Sequence, residues 1–142
     1  MVKLPKKLLK QHNHMENSII DLIIRIKNGY MAKRETIESP YSKYKEAILK
    51  KLLSLKSIQG YKVEGKLKKN ITIELAYEDG KPAISDVKVY SKPGMRLYTS
   101  YRKLKPVLSG FGYSIISTPK GIVSDREAKK LKLGGELLFS FW

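Results

Sequence analysis

Two short apolar runs near the C-terminus, Tyr113-Ser114-Ile115-Ile116 and Leu137-Leu138-Phe139, constrain this chain most, because both read as buried strands. Everything between them must then connect two strands of one core. The connection opens with Ser117-Thr118-Pro119-Lys120-Gly121 and continues through Ser124-Asp125-Arg126-Glu127-Ala128 and Leu133-Gly134-Gly135-Glu136. It places hydroxyls, one flexible cation and closely approachable backbone on a rigid support.

At 142 residues the chain suits one domain, or two small ones sharing an interface, and it can bury a core. Its 29 Lys and Arg stand against 13 Asp and Glu, a formal net charge of +16. That surplus favours a polyanionic partner, nucleic acid first and an anionic membrane second. No apolar run approaches the roughly 20 residues of a membrane span, and Met1-Val2-Lys3-Leu4-Pro5-Lys6-Lys7 lacks an apolar signal core. Membrane insertion and secretion are therefore not expected. The lack of cysteine excludes disulfides, a thiol nucleophile and a thiolate metal site. With nucleic acid favoured, the Ser117 to Gly121 loop gains a target: hydroxyls and backbone groups reach sugar 2′-hydroxyls and base edges, which bulk charge cannot do.

Residues 1–16 form a basic N-terminal arm, with Lys3, Lys6, Lys7 and Lys10, that is either mobile or a solvated terminus. A helix is expected from Ser18, where Asp21 three residues later makes a weak capping box; Ile19, Leu22, Ile23 and Ile26 follow until Asn28-Gly29 stops it. On its other face Arg25 and Asn28 either meet phosphate or are solvated. Thr36-Ile37-Glu38-Ser39 reads as a strand ended by Pro40, and Ser42 starts a second helix with Tyr44, Ile48, Leu52 and Leu55 along one stripe. Gly60 closes it. Tyr61 to Glu64 and Asn70 to Leu75 alternate as half-buried strands, and Glu78-Asp79-Gly80-Lys81 supplies a turn. This gives an αβαββ first domain over 17–82.

The pattern changes near Ser85, which leaves 83–142 as a second, β-rich domain with short helices. The expected fold class is α+β, two small subdomains packed together. From Lys88 to Lys132 eleven cations face only Asp125 and Glu127. Lys92-Pro93-Gly94-Met95 suits a type II turn, predicting a hairpin of Val87 to Tyr90 with Arg96 to Tyr98. Pro106 suits the first turn of a short helix ending near Gly110. Ser124 and Glu127 form a full capping box for a third helix that Gly134-Gly135 terminates, and a last strand runs to Trp142.

Four stretches, in this order and spacing, carry a resemblance: Arg25-Ile26-Lys27-Asn28-Gly29, Ser91-Lys92-Pro93-Gly94-Met95-Arg96-Leu97-Tyr98, the run from Ser117 to Ala128, and Gly134-Gly135-Glu136. From Asn17 to the C-terminus the chain resembles the universal eighth protein of the small ribosomal subunit, most closely its bacterial and organellar forms. Any single stretch would be a weak signal, since Pro-Gly turns and capping boxes recur in many folds. The resemblance implies a two-domain structural constituent of the small subunit. Its partners would be a stem in the central domain of small-subunit ribosomal RNA, bound early in assembly, and neighbouring small-subunit proteins. It implies no catalysis and no cofactor. RNA contact passes to the minor-groove loop of Ser117, Thr118, Pro119, Lys120 and Gly121, with Gly134, Gly135 and Glu136 beside it. Lys92, Pro93, Gly94, Arg96 and Tyr98 inherit nearby contacts. A second region in the first domain maps to Asn17-Ser18 and Lys33-Arg34. The family can also repress translation by binding messenger RNA that resembles its ribosomal site, so the alternative is a free-standing regulator of its own messenger RNA.

Three departures from the family pattern stand out. Pro119 replaces a more usual serine, removing one hydroxyl and one N–H donor while fixing the backbone. Asn17-Ser18 replaces Asp-Pro before the first helix, and the residues ahead of Glu16 exceed the usual short start. Among single residues, Glu136 is expected to hold the loop's own N–H groups at least in part, or to accept from RNA. Tyr98 either packs in the core with a wet hydroxyl or touches RNA. Trp142 is expected to anchor the last strand rather than serve as a stacking platform. The rival from another class, a metal-dependent nuclease, needs clustered carboxylates or histidines, but His12 and His14 are the only histidines and lack a third ligand, so no metal site is expected. The expected location is the cytoplasmic ribosome of a bacterium, with an organellar ribosome as the alternative.

Overall fold

The computed structural model describes the backbone of residues 6–142 and the side chains from Ser18 onward. Helix α1 (Lys6–Met31) buries Ile19, Leu22, Ile23, Ile26 and Tyr30, one stripe at helical spacing. Its start corrects the expected one. No Pro or Gly interrupts Lys6 to Asn28, so a helix already under way needs no new cap, and Ser18 stands inside it. The arm's charged side chains, His12, His14 and the side chain of Asn17 lie outside the described residues. Asn28-Gly29 does not stop the helix either. Gly29 serves close packing: a Cβ there would lie 2.6 Å from Ile37 Cγ2 and 3.0 Å from Leu75 Cδ1. Lys33 ends the helix in the left-handed region, φ +56, its N–H donating to Tyr30 O (3.1 Å) while Arg34 N–H donates to Gly29 O (3.0 Å).

Strands β1 (Thr36–Pro40), β2 (Gly60–Glu64) and β3 (Asn70–Glu74) form an antiparallel sheet in the order β1-β3-β2. Helix α2 (Lys43–Ser54) lies between the first two in sequence, capped by Ser42, whose Oγ accepts from Lys45 N–H at 3.1 Å. Ile48, Leu49 and Leu52 of α2 join the α1 stripe over Ile37, Ile71 and Ile73 of the sheet. Inside this layer the Lys45 ammonium donates to Ser39 Oγ (2.8 Å) and Pro40 O (3.1 Å), and burial pushes its pKa below the usual lysine value. The turn expected at Glu78 to Lys81 joins β4 (Tyr77–Glu78) to β5 (Lys81–Pro82), with Asp79 and Gly80 at φ +52 and +76.

The second sheet contains β6 (Val87–Val89), β7 (Tyr98–Thr99), β8 (Tyr113–Thr118), β9 (Gly121–Ser124) and β10 (Gly135–Phe141), in the order β6-β10-β8-β9 with β7 also on β10. The expected hairpin is absent. Lys92 and Met95 do close a turn, with bonds of 3.1 and 2.9 Å and Gly94 at φ +80, but the flanking strands do not pair with each other. Val87 and Val89 pair with Phe141 and Phe139, while Tyr98 and Thr99 pair with Glu136 and Gly135. The segment is one edge strand along β10, with the Pro-Gly turn looped out midway. That edge outcompetes self-pairing because it offers buried Phe139 and Phe141 to β6. After Pro106 the chain makes tight turns and no regular helix, since Leu108 and Ser109 sit at φ +45 and +55.

Helix α3 (Asp125–Leu131) starts where expected, Ser124 Oγ accepting from Glu127 N–H at 3.3 Å. Lys132, at φ +54, ends it in place of Gly134-Gly135, and Leu133 N–H donates to Ala128 O (3.0 Å). A bulge at Leu138 shifts the β8–β10 register, so Leu137 faces Ile116 while Phe139 faces Ile115. The two sides of this sheet then serve two cores. Ile115, Leu138, Phe139 and Phe141 join the first sheet's cluster, and Ile116, Val123, Ala128, Leu104 and Leu137 pack beneath α3. The α+β class with two packed halves is borne out.

Candidate nucleic-acid interface

Thr118 pairs with Gly121, so Pro119 and Lys120 alone turn β8 into β9. Thr118 closes the turn from within: its hydroxyl donates to Gly121 O (2.9 Å) and accepts from Lys120 N–H (3.2 Å). Pro119 fits a corner that needs no donor. Gly121 takes φ +109 with open space around its missing Cβ. Lys120 is exposed at the tip.

Strand pairing carries the loop's chemistry sideways. Ile122, Ser117, Glu136 and Tyr98 stand in one cross-strand row over β9, β8, β10 and β7. Ser117, Thr118 and Pro119 form one wall of an open groove whose floor and far wall come from Gly134, Gly135, Glu136 and Tyr98. Thr99, Ser100 and Lys103 complete it. Those three were not expected from sequence, because only the pairing of β7 with β10 brings them to the loop. Tyr98, 66% exposed, is not a core residue. The glycines are required here by close approach: a Cβ on Gly134 would sit 2.6 Å from Thr99 O, and one on Gly135 would overlap Ser117 O.

Glu136 departs from expectation. Its Oε1 is buried and has no hydrogen-bond partner among the described residues. The carboxylate does not hold the loop's N–H groups, because Lys120 N–H is taken by Thr118 and Pro119 has none. A buried carboxylate oxygen without a donor costs stability in the free protein, and the residue that carries it lines the groove of a chain of net charge +16.

The other expected residues lie apart from this groove. Lys92, Pro93, Gly94 and Arg96 occupy the looped-out turn on the same sheet edge. Ser18 and Lys33-Arg34, expected to form one contact region, are separated by roughly 20 Å of helix at about 1.5 Å per residue. Arg34 instead lines a cleft with Arg25, Asn28 and Glu38. Arg25 is partly neutralised there, Nε lying 2.8 Å from Asp21 Oδ2 while Nη1 donates to Glu38 O at 3.1 Å. Trp142 is anchored through its backbone, its N–H donating to Asp86 O (3.1 Å) and its O accepting from Ser85 and Asp86. Among the described residues no three His, Cys, Asp or Glu are placed to share a metal ion, and no helix is long and apolar enough to cross a membrane.

The family described as ribosomal protein S8 matches residues 17–142. Small ribosomal subunit protein uS8 of Alcanivorax borkumensis is 43% identical over 124 residues, covering 87% of this chain and 95% of that protein. The uS8 of Dictyoglomus thermophilum is 45% identical over 125 residues, with the same shares of each chain, and that of Mycoplasmopsis synoviae is 42% identical over 130 residues, 90% of this chain and 98% of that one. Match and fold together establish that the chain belongs to the ribosomal protein S8 family.

Proposed function

We propose that this protein is a structural constituent of the small ribosomal subunit that binds a stem in the central domain of small-subunit ribosomal RNA. The observation that carries the proposal is the groove in which Ser117, Thr118, Tyr98 and the unpaired Glu136 carboxylate converge. Lysine-rich surface draws RNA in by counterion release, and the fixed hydroxyl and carboxylate pattern then selects a shaped minor groove. Glu136 accepts from a 2′-hydroxyl or a base amino group, and the Ser117 and Thr118 hydroxyls act on sugar edges. Lys120 and Lys103 meet the flanking phosphates. Tyr98 lays its exposed ring and hydroxyl against the sugar face. The role is one of binding and scaffolding, not catalysis. Bacterial relatives favour a bacterial ribosome over an organellar one.

Sedimentation of a cell extract tests this. The protein co-migrates with small subunits and their precursors. Confinement to the slow, ribosome-free fractions would overturn the proposal and favour a free-standing regulator of messenger RNA.

A further inference from the structure

We infer that the β2–β3 hairpin tip of the first sheet is a second contact for RNA phosphates, separate from the Ser117 to Gly121 groove; the inference rests on the proposed function. The tip, residues 65–69, carries Lys66, Lys68 and Lys69, all exposed, around a Leu67 that is 100% exposed. It is a fixed turn. Gly65 takes φ +108, and a Cβ there would overlap Lys68 O. Tyr41 N–H donates to Lys69 O at 3.0 Å, and the Lys69 ammonium lies 5.4 Å from the Tyr41 ring centroid.

These three lysines form no ion pair with the described residues. Glu64 is the nearest carboxylate in sequence, and Glu46, beside Tyr41, is engaged by the Tyr41 and Tyr61 hydroxyls at 3.3 Å each. Exposed Lys62 on β2 and Lys43 at the start of α2 add to the same sign. Like charges gathered on a rigid turn repel one another, a cost that a phosphate backbone removes. Leu67 supplies an apolar contact for ribose. A membrane fits less well, because one leucine without an apolar face does not anchor a segment in a bilayer. Among the described residues no strand pairing joins this sheet to that of the groove, and none of the tip residues lines the groove.

The test uses the full-length protein, a complete central-domain RNA, the isolated cognate stem, a scrambled stem, and vesicles rich in anionic phospholipid. The variants are K66A/K68A, which leaves the Lys69–Tyr41 contact in place, and K66A/K68A/K69A, with S117A as comparator. On central-domain RNA the salt slope falls by about 1.5 in the double variant and about 2.4 in the triple, at roughly 0.7 to 0.9 per lost phosphate contact. Binding near 0.1 M salt weakens about tenfold or more, while preference for the cognate stem persists. S117A shows the reverse, losing preference and keeping the slope. A wild-type protein without stem preference, whose lysine variants still flatten the slope, would refute the groove and uphold the tip. Slopes that match wild type in folded variants overturn the inference, and so does a loss confined to vesicles.

Discussion

Glu136 faces Ser117 across the β8–β10 ladder, and the Glu136 Oε1 is buried without a hydrogen-bond partner beside that serine's strand. A buried acceptor without a partner destabilises the free protein by about 1 to 3 kcal/mol, and in the proposed binding mode it gains a partner when RNA binds. E136Q, which replaces the charge by a neutral amide of the same shape, therefore raises the thermal midpoint of the free protein and weakens binding to the cognate stem. Unfolding and binding measured on one preparation check the pairing of effects, and a variant that is less stable yet binds normally contradicts it.

Ser117 and Lys120 separate shape from charge. S117A costs about 1 to 3 kcal/mol of cognate binding if an RNA group loses its partner, and it leaves the salt slope unchanged. K120A weakens all RNAs alike and flattens the slope by about one unit or less, as for one phosphate. Titrations of both variants across salt check this; a loss for K120A confined to the cognate stem would move Lys120 into sequence or shape readout.

Gly135 has no room for a side chain, since a Cβ would overlap the Ser117 carbonyl. G135A pushes β10 from β8 at the row that holds Glu136 and lowers stability by about 2 kcal/mol or more, as overpacking against backbone does. Urea unfolding checks it, and an unchanged midpoint contradicts the geometry.

Lys51 Nζ lies 2.7 and 3.0 Å from the two Glu127 oxygens, tying α2 to the first turn of α3, just after the loop-bearing hairpin. The lysine side chain is mostly buried and the glutamate half-exposed, so the pair is worth about 1 kcal/mol after solvent screening. E127A is more damaging than K51A, because Glu127 also accepts from Ser124 Oγ at 3.3 Å. In a double-mutant cycle by urea unfolding the two changes are less than additive; strict additivity contradicts the contact.

Asp86 and Lys27 link the two halves at 2.9 Å, and Lys27, with help from the Val87 N–H, holds the Asp86 carboxyl below its usual pKa of 3.8. A depressed carboxylate contributes stability above its unfolded value that is lost as pH falls through its folded value. The pair's contribution is therefore complete at neutral pH, begins to decline at about pH 4 and is lost only at lower pH, as the folded-state carboxyl takes up its proton. D86N flattens this part of the acid limb of a thermal-midpoint profile, and an identical limb would refute the link.

Local chemistry was legible in the residues. Ser42 and Ser124 cap helices, Asp79-Gly80 turns a hairpin, and Lys92 to Met95 closes a turn, because each depends on neighbours within a few positions. Partner choice was not. Nothing near Tyr98 says that it pairs with Glu136 rather than with the strand before its own turn, and the groove residues Thr99, Ser100 and Lys103 follow from that pairing. Gly29 reads locally as a stop, yet it answers to Ile37 and Leu75 across the layer. The Glu136 side chain reads locally as a loop clamp, yet the Lys120 N–H is taken by the Thr118 hydroxyl and Pro119 has none to give. The groove's family motif is local to the sequence, whereas its unpaired carboxylate oxygen belongs to tertiary structure.

The most direct test of the central claim is the affinity of the purified protein for the central-domain ribosomal RNA stem, measured against a scrambled stem of equal length across a salt series. The account predicts tight binding to the true stem that survives moderate salt, and weak, steeply salt-dependent binding to the scrambled one. Equal, salt-sensitive binding to both would contradict it, showing that the groove of Ser117, Tyr98 and Glu136 selects nothing and that charge alone holds the RNA.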